Sequence, residues 1–305
     1  MNGILFQNVT YLDVASKELR QGDIEVTDGK ISGIGDFTHT QYAEVVDLAN
    51  QGILVPGFID AHLHFESSMV LPAVMISEAL KRGTVTYIAD PHEAANVAGL
   101  DGIQLLLDAT ERIPGNIYFM LPSCVPALPD GENGATLDAV ALGKYVNYER
   151  ILGLGEVMDV PSVVNGNPEI MEKLELFKNR IKDGHAPLLT GELLQKYVAC
   201  GINNDHECTT ADEVVEKVNA GMHIHAREGS AAHNLQEIMT AALKNHLPWE
   251  SFSFCSDDRS ISDIRQTGYI DHAIRLAVKC GVPALEAILI ASFYTARHYK
   301  IDHIT

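Results

Sequence analysis

Positive charge is scarce in this sequence. Lys and Arg number 22 against 41 Asp and Glu, a formal net charge of −19 over 305 residues. Nucleic acids and anionic membrane surfaces are bound through clustered Lys and Arg, so neither is expected as a partner. Cysteine is also sparse. Cys124, Cys200, Cys208, Cys255 and Cys280 are odd in number, scattered and without a CxxC pair. That excludes a disulfide framework or zinc ribbon and predicts free thiols in a reducing compartment. No apolar run reaches the roughly 18 residues that span a bilayer. Met1 to Asp13 lacks a basic start, an apolar stretch and a small-residue cleavage site. The expectation is a cytoplasmic protein with no membrane partner. A hydrophobic fraction of 46% with 21% charged residues excludes disorder as the main state. What the sequence has in quantity is histidine, 13 residues beside a single tryptophan.

At roughly 150 residues per domain the length predicts about two domains, or one large barrel with an accessory piece. Residues 1–54 read as β-structure. Ile4 to Thr10 alternates, Ile24 and Val26 alternate with polar neighbours, and Asp28-Gly29 supplies a tight-turn signal before Ile31. From residue 52 eight short apolar runs follow, each ending in a polar turn: Ile53–Ile59, Val85–Ala89, Ile117–Leu121, Ile151–Leu154, a weak run near Ile181, another at Val198–Ile202, then Met222–Ala226 and Phe252–Cys255. Helix-like spacing fills the gaps. Val214, Val215 and Val218 follow Thr209 and Thr210, either of which can N-cap a helix, with Glu213 completing a capping box on Thr210. Eight strand–helix units without a Gly-rich phosphate turn predict an α/β fold, a (β/α)8 TIM-type barrel over residues 55–305. The N-terminal 1–54 segment is expected as a small β-sheet subdomain, a partial β-sandwich.

In such a barrel functional residues belong at the C-terminal ends of strands. His62-Leu63-His64 follows the first run, and two imidazoles two residues apart on an extended segment share a face. Glu156 follows the fourth run, His185 stands near the fifth, His206 follows the sixth and Asp257 the eighth. Any one of these alone is unremarkable: a chance HxH, a cap, a surface histidine. Six together at strand ends predict a binuclear metal centre. His62, His64 and Asp257 would hold one metal, His185 and His206 the other, and Glu156 would bridge them. Such a pair yields hydroxide at neutral pH, and Asp257 is suited to take its proton and pass it to a leaving group. His223 and His225 form a second HxH that either joins the site or points away. His39, His233, His246, His272, His298 and His303 are read as structural or surface residues.

Val55-Pro56-Gly57-Phe58-Ile59-Asp60-Ala61-His62-Leu63-His64 resembles the entry motif of the amidohydrolase superfamily. His64 to Met69, Ala89 to Val97, Leu154 to Met158, Asp183 to Pro187, Asp205-His206-Glu207, Arg227 to Ala232 and Cys255 to Arg259 together resemble the bacterial-type adenine deaminases. The resemblance runs to the end of the chain. It implies hydrolysis of adenine, a small-molecule purine, to hypoxanthine and ammonia in purine salvage. It implies manganese or iron, with zinc as an alternative, and a homo-oligomer such as a dimer. It implies substrate contacts from Glu66, Ser67, His92, Asp258 and the Arg227-Glu228 segment. A ring nitrogen must gain a proton, and Glu66, Glu207 and Glu228 are all candidates. Two departures accompany it: Ser292 to Ala296 lacks the family's usual Asn, and the chain stops at His303-Ile304-Thr305, where the family returns to the small sheet and adds a further domain. Alternative expectations are another amidohydrolase acting on a cyclic amide or amino-heterocycle, or an inactive truncated remnant.

Overall fold

The computed structural model describes residues 3–37, 42–127 and 131–303. The chain divides into two compact units, Met1–Pro56 and Gly57–Thr305. The first is one four-stranded sheet of β1 (Gly3–Asp13), β2 (Glu18–Thr27), β3 (Lys30–Gly35) and β4 (Glu44–Asp47), in spatial order β3-β2-β1-β4. The β2–β3 turn is Asp28-Gly29, both at positive φ, the backbone a tight hairpin requires. Leu5, Val9, Leu12 and Ile24 form its buried face.

The second unit is the (β/α)8 barrel. Five parallel strands run in order: β5 (Phe58–Leu63), β6 (Thr84–Ala89), β7 (Asn116–Pro122), β8 (Ile151–Val157) and β9 (Ile181–Gly184). Three more, β10 (Asn204–Asp205), β11 (His223–Arg227) and β12 (Phe252–Cys255), complete it. The last strand returns to the first through a parallel bridge between Leu63 and Asp257. Asp257 N–H donates to the His62 carbonyl at 2.9 Å, and His64 N–H to the Asp257 carbonyl at 3.3 Å. Between β9 and β10, Gly184 N–H donates to Asn204 Oδ1 at 2.9 Å. Ile59, Ala61, Ile88, Met120, Ile181, Cys255 and Tyr299 belong to one buried apolar cluster.

Two strand positions differ from the expectation. Val198 lies in a helix (Gly191–Ala199), and the sixth strand is the two-residue Asn204–Asp205. Its polar side chains bond to β9, to the loop after it and to Lys217, so no apolar run marks it. The first strand begins at Phe58, and Ile53 before it is exposed.

Candidate metal centre

The six side chains expected at strand ends converge. Glu156, at the end of β8, is buried at the middle of the group. Its Oε1 lies 3.0 Å from His62 Nε2 and 2.9 Å from His64 Nε2. Its Oε2 lies 3.0 Å from His185 Nδ1. Asp257 Oδ1 is 3.1 Å from His64 Nε2 and 3.8 Å from His62 Nε2. His206 stacks on His62 with ring centroids 4.1 Å apart. His62, Glu156, His206 and Asp257 thus offer ligand atoms all within 4.8 Å of one another, and His185, His206 and Glu207 form a second such group. The donor set fits divalent cations. His62 Nε2 and His64 Nε2 face each other at 3.2 Å. Glu156 Oε1, His185 Nδ1 and His206 Nδ1 are buried with no aligned hydrogen-bond partner. Buried polar atoms this close and unpaired are costly unless a cation accepts their lone pairs.

Surrounding residues hold these donors in place. His64 Nδ1 is 2.9 Å from the Asp90 carbonyl, a contact that suits Nδ1–H and leaves Nε2 free to ligate. Asp60, buried on β5, accepts from His62 N–H at 3.3 Å and from both Ser256 N–H and Oγ–H, at 3.0 and 2.5 Å. It ties the first strand to the last beside Asp257. Asp257 itself has φ +53°, a left-handed conformation uncommon outside glycine and frequent at functional positions. Burial opposes ionisation of Asp257, but the His64 hydrogen bond and the nearby imidazoles hold its carboxyl well below the usual range. Burial, reinforced by His62, pushes His206 down to about 3, keeping the imidazole neutral as ligation requires.

Other predicted residues divide into those at the centre and those away from it. A cleft of about 190 Å³ is lined by His64, Glu156, His185, His206 and Asp257 together with His92, Glu207, Arg227 and Asp258. His92 Nδ1 lies 3.6 Å from Glu156 Oε1, so it joins the donor set more closely than its expected substrate role implies. Ser67 Oγ–H donates to Asp258 Oδ1. Arg227 donates to both oxygens of Glu207 and to Asp257 Oδ2. Glu66 Oε1 accepts from Ala94 N–H at 3.0 Å, and its Oε2 is buried without a partner. Glu228 is absent from the cleft. It accepts from His233 at 2.7 Å and lines a separate groove of about 450 Å³ with His272 and Cys280. Side chains alternate along β11; with Arg227 turned to the centre, its neighbour turns away.

The second HxH shares the face of β11 that carries Arg227 but lies earlier along the strand, where it meets other partners. His223 meets Ser253 Oγ at 2.6 Å and stacks on His298, and His225 meets Tyr299 Oη at 3.1 Å. His298 is half-buried beside them, while His246 and His303 are exposed. His39 lies outside the described residues. Sequence reasoning passed over Asp60 and Lys217. Lys217 is fully buried between Asp205 and Glu213, and its one visible signal was Glu213 four residues earlier. Among the described residues all five cysteines are free and no helix is long and apolar enough to cross a membrane.

Comparison with known proteins bears on the family and the fold. The adenine deaminase of Desulfitobacterium hafniense (strain Y51) is 44% identical over 301 residues, 99% of this chain and 52% of that protein. The adenine deaminase of Kosmotoga olearia is 43% identical over 301 residues, covering 98% and 51%. The chain therefore spans about half the length of the curated relatives it matches. A β-aspartyl dipeptidase from Fervidobacterium islandicum AW-1 superposes with TM-score 0.69 at 15% identity, over 99% of this chain and 88% of that one. A dihydroorotase superposes with TM-score 0.67 at 16% identity, over 99% and 85%. At such identities the likeness is one of fold. Residues 53–304 match the amidohydrolase family profile, and the chain belongs to the amidohydrolase family.

Proposed function

We propose that this chain hydrolyses adenine to hypoxanthine and ammonia. Water adds its oxygen to the ring carbon bearing the amino group, and that group departs as ammonia. The observation that carries the reading is the convergence of His62, His64, His185, His206 and Asp257 on Glu156, in a chain 44% identical to an adenine deaminase over nearly its full length. Divalent cations bound by these residues would acidify a coordinated water so that a nucleophile exists at neutral pH.

The remaining chemistry falls to side chains. Asp257 accepts the proton of the attacking water and returns it to the leaving nitrogen. Arg227 orients that carboxylate and Glu207 together. Glu207, lining the cleft, is assigned to protonate the ring nitrogen, with Glu66 as the second carboxyl able to serve. His92, Ser67 and Asp258 are assigned to hold the purine. Glu228 is given no role, because its carboxylate faces His233. Manganese or iron is the proposed metal, since histidine and carboxylate donors suit both, and zinc as well. A homodimer acting in the cytoplasm on free purine completes the reading.

The test is metal analysis of the 305-residue chain with a chromatographic assay for hypoxanthine and ammonia from adenine. Turnover dependent on manganese or iron is expected. Two bound cations without turnover, or a cyclic amide hydrolysed in preference to adenine, would overturn the assignment.

A further inference from the structure

Lys217 lies in the helix Ala211–Asn219 and is fully buried. Its three ammonium hydrogens find three acceptors: the Ala186 carbonyl at 2.6 Å, Asp205 Oδ2 at 2.8 Å and Glu213 Oε1 at 2.6 Å. Two of these adjoin proposed ligands, for Ala186 follows His185 and Asp205 precedes His206. The carboxylates extend the grip. Asp205 Oδ1 accepts from Ala186 N–H at 2.8 Å, and Oδ2 from Glu207 N–H and Cys208 Sγ–H, both at 3.3 Å. Glu213 Oε1 accepts from Leu188 N–H at 2.7 Å, and Oε2 from Thr209 N–H at 3.0 Å. Thr210 caps the helix as expected, but the reciprocal bond of the capping box is made one residue earlier, at Thr209. That shift aims Glu213 at both loops.

One ion cluster therefore pins the backbone after His185 and on both sides of His206. The His62, His64 and Asp257 half is held by other groups: Asp60, the Asp90 carbonyl and the Leu63–Asp257 bridge. A buried ion cluster adds little net stability over apolar packing, so its location is the informative property. Burial alone would lower the Lys217 pKa, yet Asp205 and Glu213 hold it above the usual range, and the ammonium stays charged.

We infer that Lys217 is the positioning residue for the His185/His206 half of the centre, fixing the two loops that carry those imidazoles without touching substrate or metal. The inference rests on the binuclear reading proposed above. The experiment compares the unaltered 305-residue chain with Lys217→Met, Lys217→Arg and a triple variant, Lys217→Met with Asp205→Asn and Glu213→Gln. Manganese is titrated calorimetrically, and the bound ions are read by paramagnetic resonance, where two neighbouring ions couple and a lone ion does not. The unaltered chain should take up a coupled pair. Lys217→Met should keep one tight ion, lose the coupled signal and bind the second about 10- to 100-fold more weakly, the usual effect of removing a group that orients ligands. Lys217→Arg should recover part of that loss. Unchanged binding of both ions in a folded Lys217→Met overturns the inference, and so does equal loss of both. Should Lys217→Met fail to fold, the triple variant leaves no uncompensated charge and is expected to fold with the same selective weakening. Its failure to fold would assign Lys217 to the barrel as a whole and overturn the inference. Failure of the unaltered chain to bind a pair would instead overturn the binuclear reading.

Discussion

Arg227 grips Asp257 from behind: its guanidinium donates to Oδ2 at 2.6 Å, while Oδ1 of the same carboxylate stands 3.1 Å from His64 Nε2. The second guanidinium nitrogen donates to Glu207 Oε2 at 3.0 Å. One planar side chain thus sets the direction of both carboxylates assigned to proton transfer.

Replacing Arg227 with Gln should lower kcat for adenine about 100-fold, the lower end for a displaced general base, with KM and metal content little changed. Lys at this position should restore only part of the rate, because an ammonium cannot fork between two carboxylates. Steady-state kinetics beside metal analysis decide the matter, and a Gln variant with normal kcat removes Asp257 orientation from the account.

The two proposed halves of the centre should separate by mutation. His62→Ala with His64→Ala should remove the cation shared with Asp257, and His185→Ala with His206→Ala the other. Glu156→Ala should weaken both, since its oxygens face both groups. Equilibrium dialysis with elemental analysis counts the ions, and undiminished metal content in any of the three would refute the corresponding ligand assignment.

The histidines and carboxylates at strand ends were legible because a barrel puts chemistry there and a polar residue closing an apolar run stands out. The two-residue strand Asn204–Asp205 was illegible because its side chains are chosen for bonds to Gly184, Asp183 and Ala186, and apolar runs carry no trace of that. Glu228 stands outside the cleft, and alternation along β11 carries the signal for that: Arg227 inward requires Glu228 outward. Lys217 carries no local mark of burial. Its burial depends on Ala186 and Asp205, 31 and 12 residues away, which no local pattern reports.

Gly155 is required by a close approach. A Cβ there would run into the carboxylate of Asp90, whose main chain holds His64 and whose side chain holds His92 N–H at 3.0 Å. Gly155→Ala should destabilise the barrel by about 1–3 kcal/mol, the cost of overpacking, and weaken metal binding through the displaced Glu156. Thermal melts and manganese titration report the two effects. A variant with unchanged Tm would mean that Asp90 shifts freely.

Acid should unfold the protein through the histidines away from the centre. Burial, with a contribution from Lys300, pushes His298 down to about 3. Burial and neighbouring histidines also hold His223 and His225 well below their ordinary value. As pH falls below 6.5 the unfolded chain binds protons at these positions and the folded chain resists them, His298 down to about 3. Stability is therefore full above pH 6.5 and declines as pH falls. Each such histidine contributes a slope of about 1.4 kcal/mol per pH unit. Urea unfolding of the metal-free chain between pH 5 and 8 should show this decline, and His298→Gln should reduce the slope by about one proton. An unaltered slope in that variant would show that His298 is protonated in the folded barrel, and that its stacking on His223 survives the charge.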